Sequence, residues 1–462
     1  MIPLHRLADL SARDLAWFQP ALDLLDALPS TADRRLQTFL SPKLPLYIAR
    51  APGRLDVMGG IADYSGARVL ESPLVCSTSA LVQAQQERGG RCDIATRRAK
   101  QWDFFSIDLP LAEPAALAAW FREHKTERWA SYVVGVVQAL LARSAVTGGL
   151  RILIDSSVPE GRGVASSAAL EVAVAAAVAA SRGIEIGAAE LAALCQTVEN
   201  HVVGAPCGIM DQMTSACGKR DRMLQLRCQP GTIEGYIEVP SGFRFYGIDS
   251  GISHAVSGAD YGTVRTAAFM GYRMIAAEAG FAGGYLANLT PTEFARFSAC
   301  LPEMMSGAEF LERYGGISDT ATVVLADRRY PVRRAAQHPV DEQDRVDRFA
   351  KLLNELSHRP SVATEIGRLM YGSHQSYSAC GLGSHGTDRL VELVRAAGPD
   401  CGLFGAKITG GGSGGTVAVF GTHDAEAAVR DIATGYAAET GCEMRVFAES
   451  GPGAAETGVL LP

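Results

Sequence analysis

The sequence predicts an α+β protein built from two domains. Three observations carry that expectation. The chain has 462 residues, too many for one small core and enough for two. Strand-like and helix-like segments are mixed without strict alternation, which argues against a doubly wound sheet. Hydrophobic residues make up 47% and charged residues 20%, an ordinary globular balance with no repeat or low-complexity linker. The change of domain is placed near residue 245, giving 1–245 and 246–462.

Residues 7–40 read as short amphipathic helices punctuated by Pro20 and Pro29. Leu46 to Ile48 reads as a short strand running into a glycine-and-charge segment, Ala49 to Gly66. Residues 68–84 and 91–108 have the β-branched and aromatic spacing of strands. Residues 127–145 carry apolar side chains at helical spacing, and Leu150 to Ile154 is another strand. A nearly all-apolar segment, 167–182, predicts a buried helix. A second helix over 188–203 ends at the break Gly204-Ala205-Pro206-Cys207-Gly208. Strand 243–250, helical stretches 258–320 (with an irregular part around Gly280–Gly284) and 340–395, strand 416–420, helix 424–440 and strand 443–447 complete the chain.

The formal net charge of -7 is not the footprint of a nucleic-acid binder, so any phosphate chemistry needs locally gathered positive charge. Ten scattered cysteines with no CxxC pair read as reduced thiols, neither a disulfide framework nor a zinc site. The first residues lack the apolar core of a signal peptide, and no run of about eighteen apolar residues predicts a membrane span. A cytoplasmic setting is expected, without nucleic-acid or membrane partners; oligomeric state is not legible.

The sharpest local pattern is Val158-Pro-Glu-Gly-Arg-Gly-Val-Ala-Ser-Ser-Ala168, between a strand and the buried helix. Gly161 and Gly163 permit backbone angles that turn successive N–H groups toward one point. Ser166 and Ser167 open the helix, where free N–H groups and the positive dipole end favour an anion. The pattern is neither a Walker A loop nor a dinucleotide fingerprint. An ordinary glycine turn with a serine cap would use the same letters. A second cluster, Lys407-Ile-Thr-Gly-Gly-Gly-Ser-Gly-Gly415, predicts close backbone approach, because so many glycines weaken any regular element by about 0.5–1 kcal/mol each.

Glu199, late in its helix, and Asp211, after the glycine break, are carboxylates with two natural uses beside a phosphate cradle. One is to hold Mg2+. The other is to take a proton from an attacking hydroxyl. Arg54, in Ala51-Pro-Gly-Arg54, offers a forked cation that would lower a neighbouring aspartate's pKa or stabilise a transferring phosphoryl group.

Together these segments resemble the GHMP kinase family, galactokinase branch. The resemblance rests on Ala51 to Gly66, Pro159 to Glu171, Gly204-Ala-Pro-Cys-Gly-Ile-Met-Asp-Gln212 and Lys407 to Gly415, in family order. It implies a two-domain fold with the active site in the cleft between domains, ATP as donor, Mg2+ as cofactor and a small sugar as acceptor. By position it implies Asp211 as the base and Arg54 as its partner. Asp63, Gly208 and Tyr261 match sugar-contacting positions, the last placed by the segment His254 to Tyr261. Gly161, Gly163, Ser166, Ser167, Gly411 and Gly412 match ATP-binding positions, and Ser167 and Glu199 match magnesium positions.

The departures bear on the sugar. Galactokinases usually read Gly-Glu-His-Thr-Asp-Tyr where this chain has Gly59-Gly60-Ile61-Ala62-Asp63-Tyr64. In that family the Glu and His lie near the hydroxyl on the sugar's sixth carbon. A buried hydroxyl without partners costs about 1–3 kcal/mol. Gly60 and Ile61, assigned to the sugar site, therefore imply an acceptor without that hydroxyl. L-arabinose fits, and the motif is similar to that of the plant L-arabinokinases. Galactose and galacturonate are the nearest alternatives; galacturonate would need a local cation, with Arg68 near in sequence. A non-catalytic sugar and ATP sensor on the same fold is a further alternative.

Overall fold

The strand-forming segments sort into two main sheets. The computed structural model describes residues 1–85, 89–98, 101–143, 148–253 and 259–462. The larger sheet runs in the order Leu4–Arg6, Val459–Leu461, Tyr47–Met58, Arg68–Ala84, Gly148–Ser156, Gly89–Arg98, Gln101–Asp108. A ribbon of Arg222–Arg227 and Thr232–Glu238 extends from the start of Arg68–Ala84. The smaller sheet runs Leu403–Ile408, Thr416–Thr422, Phe243–Asp249, Val446–Phe447.

Both sheets are buried by helices, for reasons visible in their side chains. Helix Ser166–Arg182 is alanine-rich and packs into the large sheet's core with Ala130–Leu141, Ala188–Val198 and Met210–Cys217. It ends at Gly183, which takes the left-handed conformation (φ 63°) that stops helices. In the small sheet, side chains alternate between faces with period two. Phe245, Ala418 and Phe420 face helices Val332–Glu355 and Ala363–Ala379. Tyr246, Ile248, Val417 and Val419 face His385–Ala397 and Glu426–Thr440.

Several expectations are corrected. The strand at Leu46 continues to Met58, passing through Pro52 and Gly53 with a register shift beside Arg54. Residues 91–108 are two strands paired antiparallel, Gly89–Arg98 and Gln101–Asp108. The ribbon 222–238 had no strong sequence signal, because its residues alternate only partly buried. The helix ending at 203 finishes as a π turn, Glu199–Val203. Helical character in 258–320 is interrupted: Ala259–Ala279, Pro291–Phe297 and Gly307–Tyr314 are separated by irregular chain. His385 is the first residue of a helix capped by Ser384. The segment His254–Gly258 lies outside the described residues; Tyr261 is in helix Ala259–Ala279. Among the described residues no helix is long and apolar enough to cross a membrane.

Candidate active site

The phosphate-loop residues take the conformations their glycines permit. Gly161 and Gly163 have φ of 67° and 68°, and Ala165 joins them at 59°. Ser166 is the first helical residue, and the capping position falls on Ala165, which supplies no side-chain hydrogen bond. The serine-cap alternative is therefore not what the chain does. Its first helical N–H groups have no side-chain cap, as an anion cradle requires.

Glycines let three backbones converge here. A Cβ at Gly53 would lie 2.7 Å from the carbonyl oxygen of Val164. The Arg54 amide donates to that same carbonyl at 3.1 Å. Gly410, Gly412, Gly414 and Gly415 all have positive φ. A Cβ at Gly415 would lie 2.8 Å from the Arg162 carbonyl oxygen, and one at Gly410 3.0 Å from that of Gly163. The Thr416 hydroxyl donates to Arg162 O at 2.8 Å. The second cluster is therefore pressed backbone to backbone against the phosphate loop, which accounts for its composition.

Two cavities share that loop. One, of about 380 Å³, is lined by Gly161, Ser166 and Ser167 together with Arg97, Arg98, Lys125, Arg128, Trp129 and Tyr132. Arg97 is paired with Asp155 and Arg98 with Glu160, itself a lining residue, so Lys125 and Arg128 supply the remaining positive charge of this cavity. The other is small, about 80 Å³, and is lined by Gly161, Gly163, Ser166 and Ser167. It is also lined by Arg54, Asp63, Glu199, Gly208, Asp211, Tyr261 and Gly411.

Arg54 organises the small cavity. It is 2% exposed and sits on strand Tyr47–Met58. Its Nε donates to Asp211 Oδ1 at 2.9 Å and its Nη1 to the Gly163 carbonyl at 2.6 Å. One guanidinium thus ties the carboxylate at the start of helix Met210–Cys217 to the phosphate loop. Burial opposes its charge, but Asp211, Glu71 and Asp56 outweigh burial and raise its pKa. Asp63 lies in the turn Gly60–Ser65, and a Cβ at Gly208 would fall 1.7 Å from its Oδ2. Only glycine fits there. Burial, then the charge of Asp211, pushes the Asp63 carboxyl up to about 7, against the pull of Arg265. Tyr261 meets Tyr64 edge to face at 5.8 Å between ring centres.

Glu199 is held by its neighbours. Gln212 Nε2 donates to Glu199 Oε2 at 2.6 Å, and the Cys207 thiol approaches the same oxygen at 3.6 Å. The Ser167 hydroxyl also bonds this carboxyl. Burial and then Asp211 raise the Glu199 pKa to about 7. A carboxylate beside a hydroxyl at a phosphate cradle is a donor set of hard oxygens that suits Mg2+.

Of the sequence-assigned sugar residues, the structure brings Asp63, Gly208 and Tyr261 to the cavity wall. Gly60 and Ile61 are not among its lining residues. Both are buried, and Ile61 belongs to an apolar cluster with Tyr64 and Tyr377. Gly412 is likewise not among the lining residues, being packed against Leu382. Arg68 is held at the rim by Glu234 and Asp347 and supplies no cation to the cavity.

Sequence reasoning missed four buried polar groups. Glu71 lies 3.3 Å from Arg54 Nε, yet burial and Asp56 drive its pKa well up. Glu171 shares Gln212 with Glu199. Lys407 Nζ pairs with Asp56 Oδ2 at 2.8 Å, both side chains fully buried. Arg265 makes two 2.8 Å bonds to Asp319 on the side of Asp63 and Tyr261. Lys407 adjoins the glycine motif and Glu171 ends the block that begins at Pro159, so both were fair signals; Glu71 and Arg265 lie outside any glycine segment.

Relatives of known name fit this geometry. The family description "GHMP kinases N terminal domain" matches residues 131–219, and "GHMP kinases C terminal" matches 347–438. A galactokinase of Chloroflexus aggregans is 31% identical over 86% of this chain and 90% of its own. The chain belongs to the GHMP kinase family. An L-arabinokinase of Arabidopsis thaliana is 40% identical over 90% of this chain, and the chain spans 46% of that protein's length. Among solved structures, Lactococcus lactis galactokinase complexed with galactose superimposes with a TM-score of 0.73 at 20% identity, covering 93% of this chain and 99% of its own. Methanococcus jannaschii mevalonate kinase gives 0.54 at 16% identity, covering 87% of this chain and 98% of its own.

Proposed function

We propose that this GHMP kinase transfers the γ-phosphoryl group of ATP to the anomeric hydroxyl of a galactose-shaped sugar, with L-arabinose the preferred acceptor. The observation that carries the reading is the sharing of one phosphate loop by two cavities. The larger, cation-lined one has room for a nucleotide. The smaller one presents Asp211, Arg54 and Asp63 to whatever meets the loop from the other side.

In this reading Gly161, Gly163, Ser166, Ser167, Gly411 and Gly412 form the ATP cradle, Gly412 by shaping the turn. Asp211 orients the sugar hydroxyl and accepts its proton. Arg54 pairs with Asp211 and fixes it relative to the loop. Asp63 accepts a hydrogen bond from a ring hydroxyl, with Gly208 leaving it room and Tyr261 forming a wall. Ser167 and Glu199 would hold Mg2+, whose charge, when bound, neutralises the phosphates. Positioning and charge neutralisation supply most of the rate in such transfers. The division into residues 1–245 and 246–462 is part of the proposal; the change of sheet between Thr232–Glu238 and Phe243–Asp249 supports a boundary nearby, while strand Phe243–Asp249 spans residue 245 and strand Val459–Leu461 returns to the larger sheet. So is a cytoplasmic setting, in keeping with ten free thiols.

The choice of L-arabinose rests on the likeness to L-arabinokinase; the Gly60-Ile61 pair, which does not line the cavity, adds only that the turn brings no polar side chain at those positions. Galactose is the second reading, favoured by the galactokinase relatives. ADP release by the purified chain with MgATP decides, compared across L-arabinose, D-galactose, D-galacturonate and D-glucose. Fastest turnover on L-arabinose is expected. Preference for galactose would overturn the acceptor, and ATP binding with no turnover on any sugar would overturn the enzyme.

A further inference from the structure

Gly60 does not leave an empty space where other chains carry a side chain. A Cβ at residue 60 would lie 1.4 Å from the Tyr377 hydroxyl oxygen and 2.7 Å from its Cζ. That phenol, at the end of helix Ala363–Ala379, is fully buried. Its oxygen accepts from the Ile61 amide at 2.9 Å. It also reaches the Gly410 carbonyl at 3.0 Å, with Asp56 Oδ2 at 3.3 Å as the alternative acceptor. One hydroxyl therefore joins the turn that carries Asp63 to the glycine motif that carries Gly411, and both Asp63 and Gly411 line the small cavity.

The phenol has no freedom to move aside. Lys407 Nζ stands 5.1 Å from the centre of its ring, fixed by the 2.8 Å pair with Asp56. The His338 ring meets it edge-on at 5.3 Å. Asp56 in turn accepts from the amides of Gly60 and Gly410, at 3.2 and 3.1 Å. The same two segments are thus clamped twice, through Tyr377 and through Asp56.

We propose that Tyr377 is a positioning residue for the acceptor site and that Gly60 is its obligatory counterpart. Tyr377 touches neither cavity. It acts through Ile61 and Gly410, setting where Asp63 stands relative to the phosphate loop. It occupies that position only because residue 60 has no side chain. A Cβ at residue 60 would also lie 2.6 Å from Asp56 Oδ2, but the far closer approach is to Tyr377, so residues 60 and 377 behave as one unit and a side chain added at 60 is better tolerated when 377 is cut back. This inference rests on the sugar-kinase reading above.

The test uses the full chain and the variants Tyr377→Phe, Gly60→Ala, Tyr377→Leu and the double variant Gly60→Ala with Tyr377→Leu. Steady-state turnover is measured over both substrates, with thermal unfolding alongside. Tyr377→Phe keeps the ring and removes the hydroxyl. It should raise the sugar KM about tenfold, the loss expected of unpaired buried partners, while the ATP KM changes about twofold or less. A merely structural role would lower the unfolding temperature and leave both KM values alone. Gly60→Ala should be severely damaging in the wild-type background and clearly less damaging in the Tyr377→Leu background, where only the 2.6 Å approach to Asp56 Oδ2 remains. Equal damage in both backgrounds, or an unchanged sugar KM in Tyr377→Phe, would overturn the inference while leaving the kinase reading intact. No ADP release by the wild-type chain on any sugar would overturn the kinase reading, and the positioning role with it.

Discussion

Two turns contribute to the small cavity, one with Gly161 and Gly163 and the other, Gly60–Ser65, with Asp63, and they use glycine for opposite reasons. In the phosphate loop, Gly161 and Gly163 adopt left-handed backbone angles, stay partly exposed, and leave the first N–H groups of the next helix without a side-chain cap. In the acceptor turn Gly60–Ser65 every residue is buried, and Gly60 is needed because a tyrosine from a remote helix fills its side-chain space. The first turn is a conformational device that leaves donors open. The second is a packing device that leaves none open. A glycine's meaning can be local, in its φ, or entirely external, in what stands against it.

The comparison can be broken most forcefully at the group between the turns. Asp211→Asn should lower kcat by about 10²–10⁴-fold, the contribution of a positioned acid or base, with ATP affinity within about twofold by titration calorimetry. Near-normal kcat would remove Asp211 from its role. Next comes stability. Gly60→Ala drives a methyl into the Tyr377 hydroxyl and should cost about 1–3 kcal/mol in denaturant unfolding. Gly163→Ala meets no atom closer than 3.4 Å, so its cost is the left-handed backbone alone, about 1–2 kcal/mol, felt chiefly as a higher ATP KM. Equal effects on the sugar and ATP KM values from both changes would erase the distinction between the turns.

Smaller effects sharpen the contrast. Glu199→Gln should raise the Mg2+ concentration needed for half-maximal turnover; an unchanged requirement would count against a metal role. The acceptor turn also carries a pH signature. Asp63 has a folded pKa of about 7, raised by burial and Asp211 above the usual carboxylate range near 4. A raised carboxyl favours the protonated fold. Its contribution to stability is fully present below about pH 4 and is lost as pH rises through about 7. The free protein should therefore unfold at a lower temperature at pH 8 than at pH 6, and Asp63→Asn should reduce that difference. The sugar KM should move the other way, rising as pH falls below 7, because only the carboxylate accepts from a hydroxyl on both oxygens.

What the structure adds also changes how the acceptor question must be asked. Placing Glu at 60 and His at 61 to recruit galactose is uninformative alone, because Tyr377 blocks residue 60 before any sugar is met. The exchange is interpretable only with Tyr377 cut back.

The sequence by itself determined the α+β mixture, the buried alanine-rich helix, the phosphate loop and the close approach of the second glycine cluster, whereas the grouping of Asp63, Gly208, Asp211, Glu199 and Tyr261 was implied by the family resemblance. Those features are written in local terms: φ preferences, helix starts, runs of small apolar residues, and motifs whose letters stay together. Tertiary structure alone decided the ribbon 222–238, the cation-lined cavity and the buried partners Glu71, Glu171, Asp56–Lys407 and Tyr377. Ile61 and Tyr377 are 316 residues apart, and no local pattern links them. Their contact exists because two separately folded surfaces meet with complementary shape, one supplying a hydroxyl and the other the absence of a side chain.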